Sequence, residues 1–220
     1  VFVPEETSSI KVDAIKRSGC EVRFFGKDGV DTENYARRYA AEHKLTFLSP
    51  YNDEEVISGQ GTCGKEIVSQ LPQCDAIFVA IGGGGLISGV AAYMKSLLPE
   101  IQVIGCQPSA SAVMTHSIKS GKIIDMTSYP TLSDGTAGGI EEGAITFDLC
   151  QKYVDHYELV SEQQIKESMQ TFIDVHRMLI EGAAGVALAG FLARKDLYKG
   201  KNVAIVVCGG NISRKTLASV

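Results

Sequence analysis

Short β-branched, apolar runs alternate with longer amphipathic stretches along most of the chain. This alternation predicts βα units and therefore a parallel sheet. The final run, Val203–Cys208 (VAIVVC), is apolar throughout, which is typical of a strand covered on both faces. The predicted strands are Phe2–Val3, Glu21–Phe25, Leu45–Leu48, Ala76–Ile81, Gln102–Cys106, Tyr157–Val160 and Val203–Val207.

The stretches between these runs predict helices. The first begins at Ser8 or Ser9 and ends before Gly19, because glycine commonly terminates a helix. Ser161, with Gln164 three residues later, forms the pattern of a helix-capping box. The remaining predicted helices cover residues 31–43, 54–70, 86–97, 109–119, 141–153, 162–178 and 183–194.

The segment Ser49–Asp53 (SPYND) is the predicted domain boundary. Two small βα units precede it, whereas longer helices and the glycine-rich segments follow it. We therefore predict an α/β protein with a parallel sheet flanked by helices. Residues 1–50 form part of a small domain, and residues 51–220 form a large domain.

The composition of the chain argues against several kinds of binding partner. The 220 residues are 45% hydrophobic and 21% charged, which is typical of a globular protein. A net charge of −5 argues against nucleic acid, because phosphate backbones require a basic face. The sequence has no apolar run of about 18 residues or more and no basic leader, so we expect no membrane partner. Six scattered cysteines without a C-x-x-C pair argue against zinc and favour reduced thiols in a cytoplasmic compartment.

Four consecutive glycines, Gly82–Gly85, separate the strand-like run FVAI from the helix-like run LISG. A glycine-rich turn from a strand into a helix is suited to an anion, because free N–H groups and the helix dipole point at it. A tight turn without a ligand is the alternative, but such a turn needs one or two glycines, not four. The loop therefore predicts a phosphate site.

The dinucleotide fingerprint G-x-G-x-x-G fails at this loop, since the sixth position is Ile87 counted from Gly82 and Ser88 counted from Gly83. The next predicted strand ends in Cys106-Gln107, with no acidic residue for a ribose. The P-loop pattern fails as well, because no Gly-Lys-Ser/Thr follows. A compact cofactor with a single phosphate fits better.

The loop GGGGLISG resembles the phosphate-binding loop of fold-type II enzymes that use pyridoxal 5′-phosphate (PLP). Within that fold, the chain resembles the serine/threonine dehydratase and serine racemase group, and the resemblance covers nearly its whole length. Cysteine synthases usually carry threonine within this loop, so four glycines favour the dehydratase group. The segments that carry the resemblance, in order, are VFVPEETSSIKVDAIKRSGCEV, SGQGT, LSDGTAGG, LIEGAAGVALA and VVCGGN.

The resemblance implies cofactor-binding roles for particular residues. The cofactor phosphate would bind the N–H groups of Gly82, Gly83, Gly84, Gly85 and Leu86. Cys208 would face the pyridine nitrogen as a near-neutral partner, although a buried structural cysteine is the alternative. Gly135 would let its loop pack against the cofactor, or would serve a plain turn. Glu181 would lie near the ring, or would only favour the helix dipole.

Two departures from the family pattern qualify this interpretation. The group binds PLP through a lysine in Ser-x-Lys-x-Arg-Gly and carries a later Ser-x-Gly-Asn-His, and neither motif occurs here. About the first third of the expected protein, with the Schiff-base lysine, would then lie outside this chain or on a companion polypeptide. The racemase branch also binds a divalent cation where this chain has Gln107 and Val113, so we expect no metal there.

The complete protein is therefore expected to convert L-serine- or L-threonine-type 3-hydroxy amino acids to 2-oxo acids and ammonia. No catalytic residue is assigned within this chain. Amino-acid racemisation, or both activities together, is the alternative among enzymes. A non-catalytic module that binds PLP or a metabolite is the alternative of another class. The resemblance also implies a homodimer.

Overall fold

The computed structural model describes residues 1–220 and contains two parallel sheets. Strands β1 (Phe2–Val3) and β2 (Arg23–Phe24) form the small sheet. The large sheet has the order β5-β4-β3-β6, in which all neighbours are parallel. Its strands are β3 (Ala76–Ala80), β4 (Gln102–Pro108), β5 (His156–Val160) and β6 (Val203–Ile205).

Helices connect these strands. The starts of two helices were predicted closely, and at both a side chain accepts backbone N–H groups. Asp53 caps α3, and α7 has the complete Ser161–Gln164 capping box. No helix is both long enough and apolar enough to cross a membrane. The helices are α1 (Ser9–Arg17), α2 (Gly29–Glu42), α3 (Glu54–Gln70), α4 (Gly85–Leu97), α5 (Val113–Ser120), α6 (Ile145–Tyr153), α7 (Glu162–His176), α8 (Gly182–Arg194) and α9 (Arg214–Leu217).

The two faces of the large sheet are both covered, as the predicted fold class requires. Ile77 and Val79 of β3 point to one apolar cluster, which includes residues of α4 and α6. Phe78 and Ala80 point to the other, which includes residues of α7 and α8. All five residues of β3 are buried, since this strand lies inside the sheet. The prediction of an α/β fold with a parallel sheet flanked by helices is confirmed.

Two predicted strands differ in the structure. Leu45–Leu48 forms no strand, and both leucines are exposed. The Leu45 N–H instead donates to the carbonyl of Ala40 at 2.8 Å. The start of this segment is therefore hydrogen-bonded to the last turn of α2. The last run is an edge strand of half-buried residues, ending at Ile205. Its residues still pack against the apolar clusters on both faces, Ala204 against one and Val203 and Ile205 against the other.

Three helices are shorter than predicted. Helix α5 begins at Val113 instead of residue 109, and α6 begins at Ile145 instead of residue 141. In both places the preceding residues form turns, such as the Ser111 N–H to Pro108 carbonyl bond. Helix α7 ends at His176, because Arg177 adopts a left-handed conformation with φ of 57°.

The boundary predicted at Ser49–Asp53 lies between α2 and α3. Residues before it form the two-stranded sheet with α1 and α2, and residues after it form the four-stranded sheet with its helices. Asp53 itself caps α3, accepting the N–H groups of Glu55 and Val56. The division into domains at residue 50 stays a prediction.

Candidate functional site

The glycine loop lies where β3 leaves the large sheet and α4 begins, at the carboxyl end of a buried parallel strand. Gly84 has a φ of +90°, a backbone conformation that glycine adopts without steric cost. The backbone N–H groups from Gly82 through Ile87 donate no hydrogen bond within the chain, although several of these residues are buried. Buried N–H groups are nearly always paired, so this run of amides is suited to an external acceptor.

Neighbouring side chains explain why the loop consists of glycines. A Cβ on Gly83 would lie 2.4 Å from ring atoms of Tyr51, and a Cβ on Gly85 would lie 2.9 Å from the Tyr51 Cα. A Cβ on Gly82 would lie 3.1 Å from the Cα of Thr136. The protein therefore packs tightly against the Cα atoms of this loop.

All eight residues that the sequence predicted for cofactor binding line one cavity of about 340 Å³. This volume lies in the range that small-molecule sites usually have. The structure brings together four segments that are far apart in the sequence. The predicted residues on its wall are Gly82, Gly83, Gly84, Gly85, Leu86, Gly135, Glu181 and Cys208.

Cys208 and Glu181 form one wall of this cavity. Cys208 is exposed at the cavity. Desolvation of its thiol, and to a smaller extent the negative charge of Glu181, raises the thiol pKa to about 11. The thiol is therefore neutral at physiological pH. Its position at the end of the VVC run is compatible with a weak hydrogen bond to a neutral ring nitrogen.

Glu181 also organises the segment that follows Cys208. Its Oε2 accepts the N–H of Asn211 at 3.0 Å, and its own N–H donates to the Gly209 carbonyl at 3.1 Å. Its side chain accepts no capping hydrogen bond from α8, whereas its carbonyl accepts the N–H of Gly185 at 3.1 Å. Glu181 thus connects the start of α8 to the Gly209–Asn211 turn, a structural role that the sequence analysis did not assign.

Gly135 lies in a 3-10 turn, Asp134–Thr136, at the edge of the cavity. A Cβ at this position would be 3.6 Å from the Ala183 Cβ and 3.7 Å from the Glu181 Oε1, which are ordinary contacts. The protein alone therefore leaves room for a side chain at Gly135. The predicted close approach to a cofactor stays a prediction.

Among the residues of the cavity wall that the sequence analysis did not assign, two have side chains that shape the site, Tyr51 and Glu33. Tyr51 supplies the surface under the glycine loop, and its hydroxyl accepts the N–H of Glu141 at 2.9 Å. Glu33, on α2, faces the same cavity. Tyr51 was noted only as part of the boundary segment, and Glu33 fell within the predicted helix 31–43 without an assigned role. Neither carries a local signal, because both depend on contacts between distant segments.

The position suggested for a metal ligand is occupied by a structural hydrogen-bond acceptor. Gln107 is buried, and its Oε1 accepts both the N–H and the hydroxyl of Thr115, at 2.8 and 2.7 Å. This amide therefore holds the first turn of α5. Val113 begins that helix and has no ligating atom.

A phosphate monoester attached to a small aromatic ring fits this cavity chemically. The free amides of the loop supply donors for the phosphate oxygens, and the N-terminus of α4 adds partial positive charge. The neutral thiol of Cys208 is suited to a ring nitrogen that carries no charge. The donor set thus matches the cofactor that the sequence resemblance implied.

Comparisons with known proteins agree with this chemistry. The pyridoxal-phosphate dependent enzyme family matches residues 1–209. The chain is 37% identical over 222 residues to the biosynthetic L-threonine dehydratase IlvA of Halalkalibacterium halodurans, covering 96% of this chain and 52% of that protein. It is 34% identical to the L-threo-3-hydroxyaspartate ammonia-lyase of Saccharomyces cerevisiae, covering all of this chain and 67% of that protein. The chain thus spans about half to two thirds of these two relatives.

Solved structures give the same assignment. The processed form of threonine deaminase isoform 2 from Solanum lycopersicum superposes with a TM-score of 0.90 and 33% identity, over 99% of this chain and 64% of that chain. Serine racemase from Dictyostelium discoideum superposes with a TM-score of 0.84 and 31% identity, over 97% of this chain and 68% of that chain. The chain belongs to the family of pyridoxal-phosphate dependent enzymes, in the fold-type II group of serine/threonine dehydratases and serine racemases.

Proposed function

We propose that the complete protein is a PLP-dependent ammonia-lyase. Its substrate is a 3-hydroxy amino acid such as L-serine or L-threonine, and its products are a 2-oxo acid and ammonia. The observation that carries this proposal is the run of unpaired N–H groups from Gly82 through Ile87 at the wall of the cavity. The names of the curated relatives, which are dehydratases and ammonia-lyases, support the reaction class.

The roles of the residues follow from their chemistry. When bound, PLP supplies the conjugated ring that stabilises the negative charge left when the Cα proton departs. The amides of Gly82–Leu86 would hold its phosphate. Cys208 lines the same cavity and, as a neutral thiol, would leave the ring nitrogen uncharged. This partner would make the ring a weaker electron sink and so favour prompt loss of the β-hydroxyl.

A lysine that forms the covalent link to the cofactor is part of this proposal and lies outside these 220 residues. We propose that the segment carrying it binds a second, more apolar cavity of about 630 Å³ beside the small sheet. Leu45 and Leu48 on this cavity are 59% and 76% exposed, which leaves apolar surface uncovered. Two-stranded sheets are marginally stable, so an added strand would also stabilise β1 and β2.

Racemisation is the second candidate activity, because serine racemases from Dictyostelium discoideum and maize superpose with TM-scores of 0.84 and 0.89. We further propose a homodimer and a reducing, cytoplasmic location. The six unpaired cysteines support the second of these, since none forms a disulfide in the structure. Light scattering of the complete protein tests the dimer.

Incubation of the complete protein with PLP and L-serine or L-threonine tests the proposed reaction. We expect 2-oxo acid to accumulate together with an equal amount of ammonia. A coupled dehydrogenase assay measures the 2-oxo acid, and chiral chromatography measures the D-amino acid. The 220-residue chain with PLP is the matched control and should give no product.

Three results of this incubation are distinguishable. Accumulation of 2-oxo acid supports the lyase. D-serine without 2-oxo acid contradicts the lyase and supports the racemase. Bound PLP with neither product contradicts both activities and supports the non-catalytic binding module.

A further inference from the structure

Glu33 is a half-buried carboxyl group to which neither the sequence pattern nor the proposed mechanism gives a role. It lies on α2 and lines both the glycine-loop cavity and the larger apolar cavity. Its Oε2 is buried and has no hydrogen-bond partner in the chain. An ionised carboxylate in such a place is unfavourable, because burial removes water and the Tyr51 hydroxyl offsets that loss only in part.

Tyr51 links Glu33 to the glycine loop. The Tyr51 hydroxyl interacts with the Glu33 carboxyl and also accepts the N–H of Glu141. The ring of the same tyrosine lies against Gly83, and its Cα and Cβ lie against Gly85. The carboxyl of Glu33 therefore lies one side chain away from the phosphate-binding amides.

The charged groups around Glu33 disfavour a second negative charge. Glu141 is buried and acts on Glu33 as a like charge, and Asp28 before α2 adds a smaller repulsion. Arg37 is the one nearby cation, but both Oε atoms of Glu141 already accept its guanidinium, at 3.0 and 2.8 Å. Desolvation, followed by the charge of Glu141, raises the pKa of Glu33 to about 7. Across the cavity, Glu181 adds one more acidic side chain.

We propose that protonation of Glu33 controls how tightly the glycine-loop cavity binds a doubly negative phosphate ester, because a neutral carboxyl at this place adds no negative charge beside the ester. This inference rests on the proposed function, because the ester it concerns is that of the proposed cofactor. Ionisation of Glu33 and binding of the ester place negative charges in the same cavity. Each event therefore opposes the other, and the effect is reciprocal.

The sign of the pH dependence follows directly. The ester binds best when Glu33 holds its proton, and its affinity falls as the pH rises through about 7. In the ester-free chain, the folded state keeps a proton that the unfolded chain loses above its ordinary pKa. Stability therefore falls as the pH rises between the unfolded and the folded pKa of Glu33. Glutamine at this position imitates the protonated form and removes the contribution of Glu33 to both dependences.

Isothermal titration with pyridoxine 5′-phosphate tests the inference. This ester lacks the aldehyde, so it binds without a lysine. Between pH 6.5 and pH 8.5, we expect the affinity of the unmodified chain to fall about 2.5- to sixfold more than that of Glu33→Gln, if the ester raises the Glu33 pKa from about 7 by about 0.5 to 1 unit. Glu42→Gln, the same change at an exposed site on the same helix, should keep the dependence of the unmodified chain.

Urea unfolding without ligand supplies a second readout. The midpoint of Glu33→Gln should equal that of the unmodified chain near pH 4.5 and exceed it at pH 8. Equal pH dependences of affinity and of midpoint in the two proteins would overturn the inference while leaving the proposed function intact. No binding of the ester to either protein at any pH would overturn the cofactor site itself and the inference with it.

Discussion

Gly83→Ala is expected to weaken the binding of pyridoxine 5′-phosphate by about tenfold or more, since charge-assisted hydrogen bonds contribute about 1.5–3 kcal/mol each. The new Cβ would lie 2.4 Å from the Cγ and Cδ1 atoms of Tyr51. These atoms belong to the near end of the ring, and the far end is fixed because the hydroxyl accepts the Glu141 N–H. The loop must therefore shift, and its amides lose their common direction.

Isothermal titration of the variant and the unmodified chain measures this effect. Gly59→Ala is the matched control, because a Cβ at Gly59 in α3 meets nothing within 4 Å. Its affinity for the ester should be unchanged. Equal affinities of Gly83→Ala and the unmodified chain would contradict a phosphate site formed by this loop.

Gly182→Ala is expected to lower the free energy of unfolding by about 3 kcal/mol, at the upper end of the usual cost of overpacking. Gly182 is the first residue of α8, and its Cβ would lie 2.0 Å from the Leu132 oxygen and 2.7 Å from the Ser133 nitrogen. Both are backbone atoms, which no change of rotamer can move. Helix α8 must separate from the segment that leads into the turn of Gly135.

Urea unfolding followed by circular dichroism measures this loss. The control Gly59→Ala should instead be more stable than the unmodified chain by about 0.5–1 kcal/mol, because alanine is favoured over glycine inside a helix. A midpoint for Gly182→Ala that matches or exceeds that of the control would show that Leu132 and Ser133 do not pack against α8 as described.

Local sequence signals were sufficient for much of the fold. The five buried residues of β3 form a continuous apolar run that ends at glycines, so both the strand and the start of α4 could be placed. The capping residues Asp53 and Ser161 likewise mark the true starts of α3 and α7. In these elements the hydrogen bonds that define each boundary connect residues close in sequence.

Elements that depend on a distant partner could not be predicted in the same way. Leu45–Leu48 has the composition of a strand, but no strand pairs with it, and a strand exists only by pairing. The run after Lys201 is apolar, yet β6 pairs only with β3 and lies at an edge. Strand order is a property of the whole chain, which composition within one run does not encode.

The residues of the candidate site differ in the same way in how well the sequence predicts them. The glycine loop, Cys208 and Glu181 were found because each belongs to a recognisable segment. Tyr51 and Glu33 were missed because their roles arise from contacts across long stretches of sequence, such as the bond from the Glu141 N–H to Tyr51. The sequence also did not reveal a second reason for glycine in this loop, which is that Tyr51 and Thr136 occupy the space where side chains would lie.

The central claim is that the bare amides of the glycine loop hold a phosphate group. Titration of the ¹⁵N-labelled chain with pyridoxine 5′-phosphate, followed by amide nuclear magnetic resonance, tests it most directly. We predict that the largest shifts fall on the amides from Gly82 through Ile87, which have no acceptor within the chain. Saturable binding of the ester with the largest shifts elsewhere, and none in this loop, would contradict the claim.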